Sequence, residues 1–243
     1  MQALLEEERR LTEESTERLG NIVQIAEEGM GLLNTCIATI ARGNELTAGI
    51  MLAINKSTML AYLSYVRSHC AQGEFNCRQL IEYFCLQSYF LAHPDTPIMR
   101  DMEDGSTEFI NNKVISQKAH RWIKKSLPEI SDDLLQHKEA MNASFLHACV
   151  YGTSLTMSYE PSNNIYSGSF FDNVEADGLR AGLLRLCRVI ALGLSATYQA
   201  NQIHSVIEFH DEIGPRLERY AEIVDRYQNE WREKMEVGAT KLG

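Results

Sequence analysis

Little in this chain would break a helix. Only five prolines occur in 243 residues. Three of them, Pro94, Pro97 and Pro128, sit near mid-chain, so long stretches run free of a residue that removes a backbone donor and clashes with the preceding turn. No run of alternating apolar and polar residues reads as a sheet, and no internal repeat stands out. Long apolar runs are missing too. The longest candidate, Val189 to Ala196, falls far below the roughly 20 residues a bilayer requires and has Arg185 and Arg188 just upstream. The opening MQALLEEERRLTEESTERLG lacks a basic start followed by an apolar core, so it does not read as a secretory signal.

Positive charge is scarce. Lys and Arg number 23 against 33 Asp and Glu, a net charge of −10, which argues against a general nucleic-acid coat protein and against anionic membrane surfaces. A local basic patch is still compatible with that total. The cysteines Cys36, Cys70, Cys77, Cys85, Cys149 and Cys187 form no CxxC pair and lie mostly on apolar faces, which predicts reduced, buried thiols and disfavours zinc. No HExxH, no ExxH pair suited to a di-iron bundle, no GxxxxGK[ST] and no GxGxxG is present. His204 and Glu208, followed by His210 and Asp211, resemble a metal-dependent phosphohydrolase dyad only faintly, with no matching ligand helix upstream. The expectation is a cytoplasmic protein with no cofactor and no metal.

What is present is helix after helix. The pattern predicts helices over about Leu4 to Ala41, broken near Gly20 or Gly31, and over Glu45 to Cys70, with Gly73 ending that region. The Phe75–Leu91 stretch then forms a helix until Pro94, and Asp95 to Gly105 is a loop. Ser106 or Thr107 caps a helix to about Ser126, where Leu127 and Pro128 stop it. Ser131 or Asp132 caps the next, which reaches about Met157. An irregular segment at 158–174 follows, then a long helix from Glu175 and closing helices to Val237 with a break or kink at Gly214-Pro215. The fold class expected is all-α, an antiparallel bundle of about six to eight helices. Residues 1–43 form a partly charged N-terminal helical extension that projects or pairs with another chain, and 44–243 form the bundle.

The stretch FNCRQLIEYFCLQSYFLAHPD carries the most information. Cys77, Leu80, Ile81, Phe84, Cys85 and Leu91 follow the spacing of a buried helical face. Arg78 and Glu82 sit four apart on a neighbouring stripe, where they can meet; a charged pair there needs partners if it is buried. It reads either as a structural ion pair at a core rim or as part of a site. The helix before the irregular segment carries a second polar stripe that includes His147 and Tyr151, either a solvated face or part of that same site. His147 can exchange protons near neutral pH. The helix after the segment is apolar over two faces, and Arg180, Arg185 and Arg188 occupy the remainder. Each of these arginines either reaches solvent or needs a carboxylate, for which Glu82 is a candidate, or a bound phosphate. Lys118, Arg121, Lys124 and Lys125, with His120 and Trp122 among them, make the best nucleic-acid patch, though cations near a helix C-terminus also complement its dipole. The segment 158–174 holds Tyr159, Tyr166, Phe170 and Phe171 and reads as a lid, a partner-binding loop or a plug packed back on the bundle.

The run AQGEFNCRQLIEYFCLQSYFLAHPD resembles the R-x-x-x-E helix of a bacterial all-helical family of unknown function, distantly grouped with abortive-infection proteins. Arg78 and Glu82 match that element, and His147 in ASFLHACVYGTS matches the histidine that ends a later helix. The small or polar residue usual after that histidine is only loosely kept. The resemblance spans about Glu45 to Tyr159 and implies a helical bundle with a role in prokaryotic stress or phage defence. Related HEPN-type nucleases carry an arginine and a histidine at R-x4-6-H on one helix, a spacing absent here, which speaks against ribonuclease activity. Three functions are expected: foremost an interaction or regulatory protein that binds a protein partner or itself; next a small anionic-ligand binder or enzyme with a pocket around Arg78, Glu82, His147, Tyr151, Arg185 and Arg188; last a nucleic-acid effector, which the charge balance disfavours.

Overall fold

The spine of the protein is a 23-residue helix, Cys70–Ala92, with no proline inside it and Pro94 just beyond its end. Leu80, Ile81, Phe84 and Leu91 on it are fully buried, each contributing roughly 1.5–3 kcal/mol relative to exposure. The computed structural model describes residues 1–101, 106–110, 112–144, 156–160, 162 and 164–240. Among them are nine helices: α1 Gln2–Glu13, α2 Ser15–Leu19, α3 Ile22–Thr35, α4 Glu45–Val66, α5 Cys70–Ala92, α6 Asn112–Ser126, α7 Pro128–Ser144, α8 Ala176–Asn201 and α9 Ile213–Thr240. The protein is an all-α, multi-helix bundle. The pairs α4–α5 and α5–α8 make the most extensive packing, α3 and α9 cover α8, and α6 and α7 lie against α5.

The expected stripes explain this arrangement. On α8, Leu183, Leu186, Val189 and Ile190 are all fully buried, as two apolar faces require. Close approach is bought with glycine. A Cβ at Gly73 on α5 would lie 2.6 Å from the Tyr65 ring of α4, and one at Gly193 on α8 would overlap the Phe84 ring of α5. The described cysteines, Cys36, Cys70, Cys77, Cys85 and Cys187, are free and buried; burial pushes the Cys36 thiol up to about 11 and the Cys85 thiol to about 12.

Several expected boundaries move. The first long helix does break at Gly20, between α2 and α3, as expected, and runs unbroken through Gly31, but it breaks again after Glu13, and Ile37–Ile40 leaves the helix as a strand, β1. The second helix stops at Val66, four residues early, because Ser68 turns the chain with φ +60°. Gly73 does not end a helix; it lies in the first turn of α5, under Tyr65. Thr107–Phe109 is strand β3, paired antiparallel with β2, Met99–Asp101, so α6 starts at Asn112 rather than at a Ser106 or Thr107 cap. The helix ends at Ser126, before Leu127 and Pro128, as expected, but Pro128 does more than stop it. The proline opens α7, where its missing N–H is no loss, so neither Ser131 nor Asp132 caps that helix. The segment 158–174 is not irregular throughout: β4, Met157–Glu160, pairs with β5, Ile165–Gly168, in a hairpin. The break near Gly214-Pro215 falls upstream, where strand β6, Ile207–Phe209, pairs with β1, and Pro215 sits in the first turn of α9.

The charged N-terminus engages its own chain. Arg9 pairs with Glu13, and Arg10 with Glu7 and Glu14, along the helix. Glu8 reaches the α4–α5 turn, 3.2 Å from His69 Nε2 and 3.8 Å from Arg67. Arg18 donates to Ser68 Oγ at 2.8 Å and to the Val66 carbonyl. On the same turn Phe170 meets the His69 ring edge-on and Phe171 stacks on it, while the Asp172 carboxylate accepts from Ala71 N–H at the start of α5. Residues Ile22, Val23 and Ala26 of α3, inside 1–43, share one hydrophobic cluster with α4, α5 and α8. By length and composition α4 would suffice to cross a bilayer; here Ile54, Ala61 and Tyr65 are buried against the bundle while Leu52, Met59 and Leu60 are exposed.

Candidate functional site

One face of α5 opens onto a cleft of about 490 Å³, within the range of small-ligand sites. Its walls are apolar: Leu46 and Ile50 from α4, Tyr83, Leu86 and Phe90 from α5, Ile115 from α6, and Ile98 and Ile110, which flank the β2–β3 hairpin. The polar end is built by Arg78 and Glu82 of α5 and Ser116 of α6. The pair anticipated in the sequence therefore lines a cavity.

Glu82 is the hub. Lys138 Nζ of α7 lies 2.7 Å from Oε1, and His120 Nε2 of α6 lies 2.7 Å from Oε2. A carboxylate only accepts, so that imidazole nitrogen carries the proton. Ser116 Oγ adds a longer contact of 3.4 Å to the same Oε2. The side chain is 23% exposed. Burial alone would raise its pKa; hydrogen bonds from His120 and Lys138, and their charge, hold it down at about 2. The expected partner Arg78 is the looser one. Its Nη2 stands 3.7 Å from Glu82 Oε1, beyond hydrogen-bond range, while its Nε donates to Asn142 Oδ1 of α7 at 2.9 Å. The remaining N–H groups of Arg78 have no hydrogen-bond partner among the described residues.

This geometry limits the chemistry. Glu82 stays ionised at any physiological pH and has no proton to give. His120 Nδ1 is buried and has no hydrogen-bond partner among the described residues. Ser116 and His120 converge on one carboxylate oxygen instead of forming the serine–histidine–carboxylate series that activates a nucleophile. Among the described residues no three His, Cys, Asp or Glu side chains are placed to hold a metal ion. The arrangement can bind and orient a ligand. Arg78 offers a planar cationic fork, and the apolar walls take a hydrophobic body.

The other anticipated residues fall elsewhere. His147 and Tyr151 lie outside the described residues. Arg185 pairs with Glu74, a residue 2% exposed, and not with Glu82; burial pushes the Glu74 carboxyl up against the pull of that guanidinium. Arg188 donates to Asp225 at 2.7 Å and to Gln228 at 2.5 Å. Lys118, Arg121, Lys124 and Lys125 are exposed on the outer side of α6, with Lys124 and Lys125 in its last turn, where they complement the helix dipole. His120, read with that basic run, instead points inward to Glu82. Trp122 is half-buried and meets His93 edge-on. The sequence reading missed Ser116, His120, Lys138, Asn142 and Glu74 as partners. One signal was available: Arg78–Glu82, Ser116–His120 and Lys138–Asn142 share the same four-residue spacing on three successive helices.

Comparisons with protein-family models, with curated proteins and with solved structures found no significant match to this chain.

Proposed function

We propose that the protein is a ligand-binding regulatory protein whose cleft between α4, α5 and α6 takes a small molecule with an apolar body and one anionic head, most simply a carboxylate. The observation that carries this reading is the pairing of an apolar cleft with Arg78, which lines it with guanidinium N–H groups that have no hydrogen-bond partner among the described residues. Glu82 is already engaged by His120 and Lys138, so its role is to fix those side chains and to bias the Arg78 fork. A carboxylate entering the cleft meets Arg78 in the bidentate geometry that this side chain favours. The partial burial of the site strengthens that contact over its value in water.

The test is a thermal-shift titration with medium-chain fatty acids and aryl carboxylates, each beside its methyl ester. The acids should raise the melting temperature of the wild type and the esters should not, and Arg78→Met should abolish the response. Saturation at about 100 times Kd corresponds to about 2.7 kcal/mol of stabilisation. Equal shifts from acid and ester, or a full response in Arg78→Met, would remove the anionic head from the proposal.

A second reading, self-association, draws on the exposed face of α4. Leu52 is 70% exposed, and Met59 and Leu60 lie on the same side two turns on. Such a stripe is the kind of surface that a partner covers.

A further inference from the structure

A second cavity, of about 350 Å³, lies between α7, α8 and α9. Its lining includes His137 of α7, Arg185 and Arg188 of α8, and Arg232 of α9. It shares no residue with the cleft beside Arg78. From this convergence, on one open cavity, of guanidinium groups whose donors are not all used among the described residues, we infer that the cavity is a binding site for a small phosphate-type oxyanion, inorganic phosphate or a phosphate monoester.

The donor inventory supports it. Arg185 uses Nη1 toward Glu74, which lies buried behind it, leaving Nε and Nη2 without a protein acceptor among the described residues. Arg188 uses Nη1 for Asp225 and Gln228; its Nη2 is 3.6 Å from Asp133, too long for a hydrogen bond. Arg232 is exposed and makes no ion pair among the described residues. His137 has no hydrogen-bond partner there either. Donors from two helices and a ring nitrogen from a third exceed what one carboxylate can use and match the several acceptor oxygens of a phosphate.

Charge points the same way. Glu74, Asp133 and Asp225 formally balance the three arginines. But Glu74 sits behind Arg185, and the side chains of Asp133 and Asp225 are 48% and 64% exposed, so water screens them. The groups facing His137 are Asp133 on its own helix, Arg185 and Arg188 from α8, and Arg232 from α9. Burial, then Arg185 and Arg188, depress its pKa to about 4, outweighing Asp133. Burial is the larger cause; the part due to Arg185 and Arg188 is what a bound anion would cancel.

Titration of the His137 ring by NMR, with inorganic phosphate and separately with glycerol 3-phosphate at constant ionic strength set by chloride, tests the site. His137→Gln assigns the resonance. The expected result is a saturable shift of the ring signals, with the ring pKa rising by at least about one pH unit and affinity about tenfold weaker in Arg232→Ala and in Arg188→Gln. Tighter binding of the ester than of phosphate would mark an organic phosphate as the ligand; equal binding would mark inorganic phosphate. No saturable shift beyond the chloride control, or undiminished affinity in Arg232→Ala, whose exposed side chain is not needed for folding, overturns the inference. Arg78→Met should leave this titration unchanged, so its outcome is independent of the cleft beside Arg78.

Discussion

Replacing Glu82 with glutamine keeps the side chain's shape and removes its charge, leaving Lys138 and Arg78 half-buried without a counter-ion. The carboxyl is held at about 2 against an ordinary 4.5. That gap, at about 1.4 kcal/mol per pH unit, sets a ceiling of about 3 kcal/mol on what ionised Glu82 contributes. The sign follows from the proton count. Between the two values the unfolded chain binds the proton and the folded chain does not, so this stability is fully present above about 4.5 and is lost as pH falls through about 2. Glu82→Gln should therefore cost about 2–3 kcal/mol at pH 7, and the difference from wild type should shrink to roughly half by pH 3. Denaturant-induced unfolding of both proteins at pH 7, 5, 4 and 3, followed by far-UV circular dichroism with the slope held in common, measures it. A difference below about 0.5 kcal/mol at pH 7 would place Glu82 among ordinary surface ion pairs. A difference that does not change between pH 7 and pH 3 would show that packing, not charge, sets its contribution.

Gly193→Ala should destabilise the fold by about 1–3 kcal/mol, because its Cβ overlaps the Phe84 ring, which is fully buried and cannot swing aside; an unchanged melting temperature would contradict this packing. If self-association uses the exposed face of α4, light scattering at tens of micromolar should give a dimer mass for the wild type and a monomer mass for Leu52→Glu. A monomer in both cases would leave that face without a partner of its own kind.

The helical frame was legible because burial leaves a local trace. The stripes on α5 and α8 repeat within a single element, and the apolar residues named from them are the ones at the centre of the bundle. The ribbons left no such trace. Strands of three or four residues are too short for alternation to show, and β1 finds its partner in β6, so Ile37 opposes Phe209 across most of the chain. Proline was half legible: Leu127-Pro128 marks the end of α6 at Ser126, but the same Pro128 also starts α7, ahead of the cap expected at Ser131 or Asp132. In the site, Arg78–Glu82 was visible because both members lie on one helix. Lys138, His120 and Glu74 were not, since each meets its partner from another element; the four-residue spacing on α6 and α7 shows which residues share a face but not which helix that face meets.

The least legible helix is the one both cavities depend on. Among its residues with described side chains, α7 buries only Ser131, Leu134 and Met141, so apolar packing alone positions it weakly. Polar contacts supply the rest. Lys138 and Asn142 hold it to Glu82 and Arg78 on one side, while Asp133 and His137 face Arg185 and Arg188 on the other. A helix held this way has few alternating apolar positions to betray it, which is why its partners escaped a reading based on periodicity. For the same reason, its placement answers to charge.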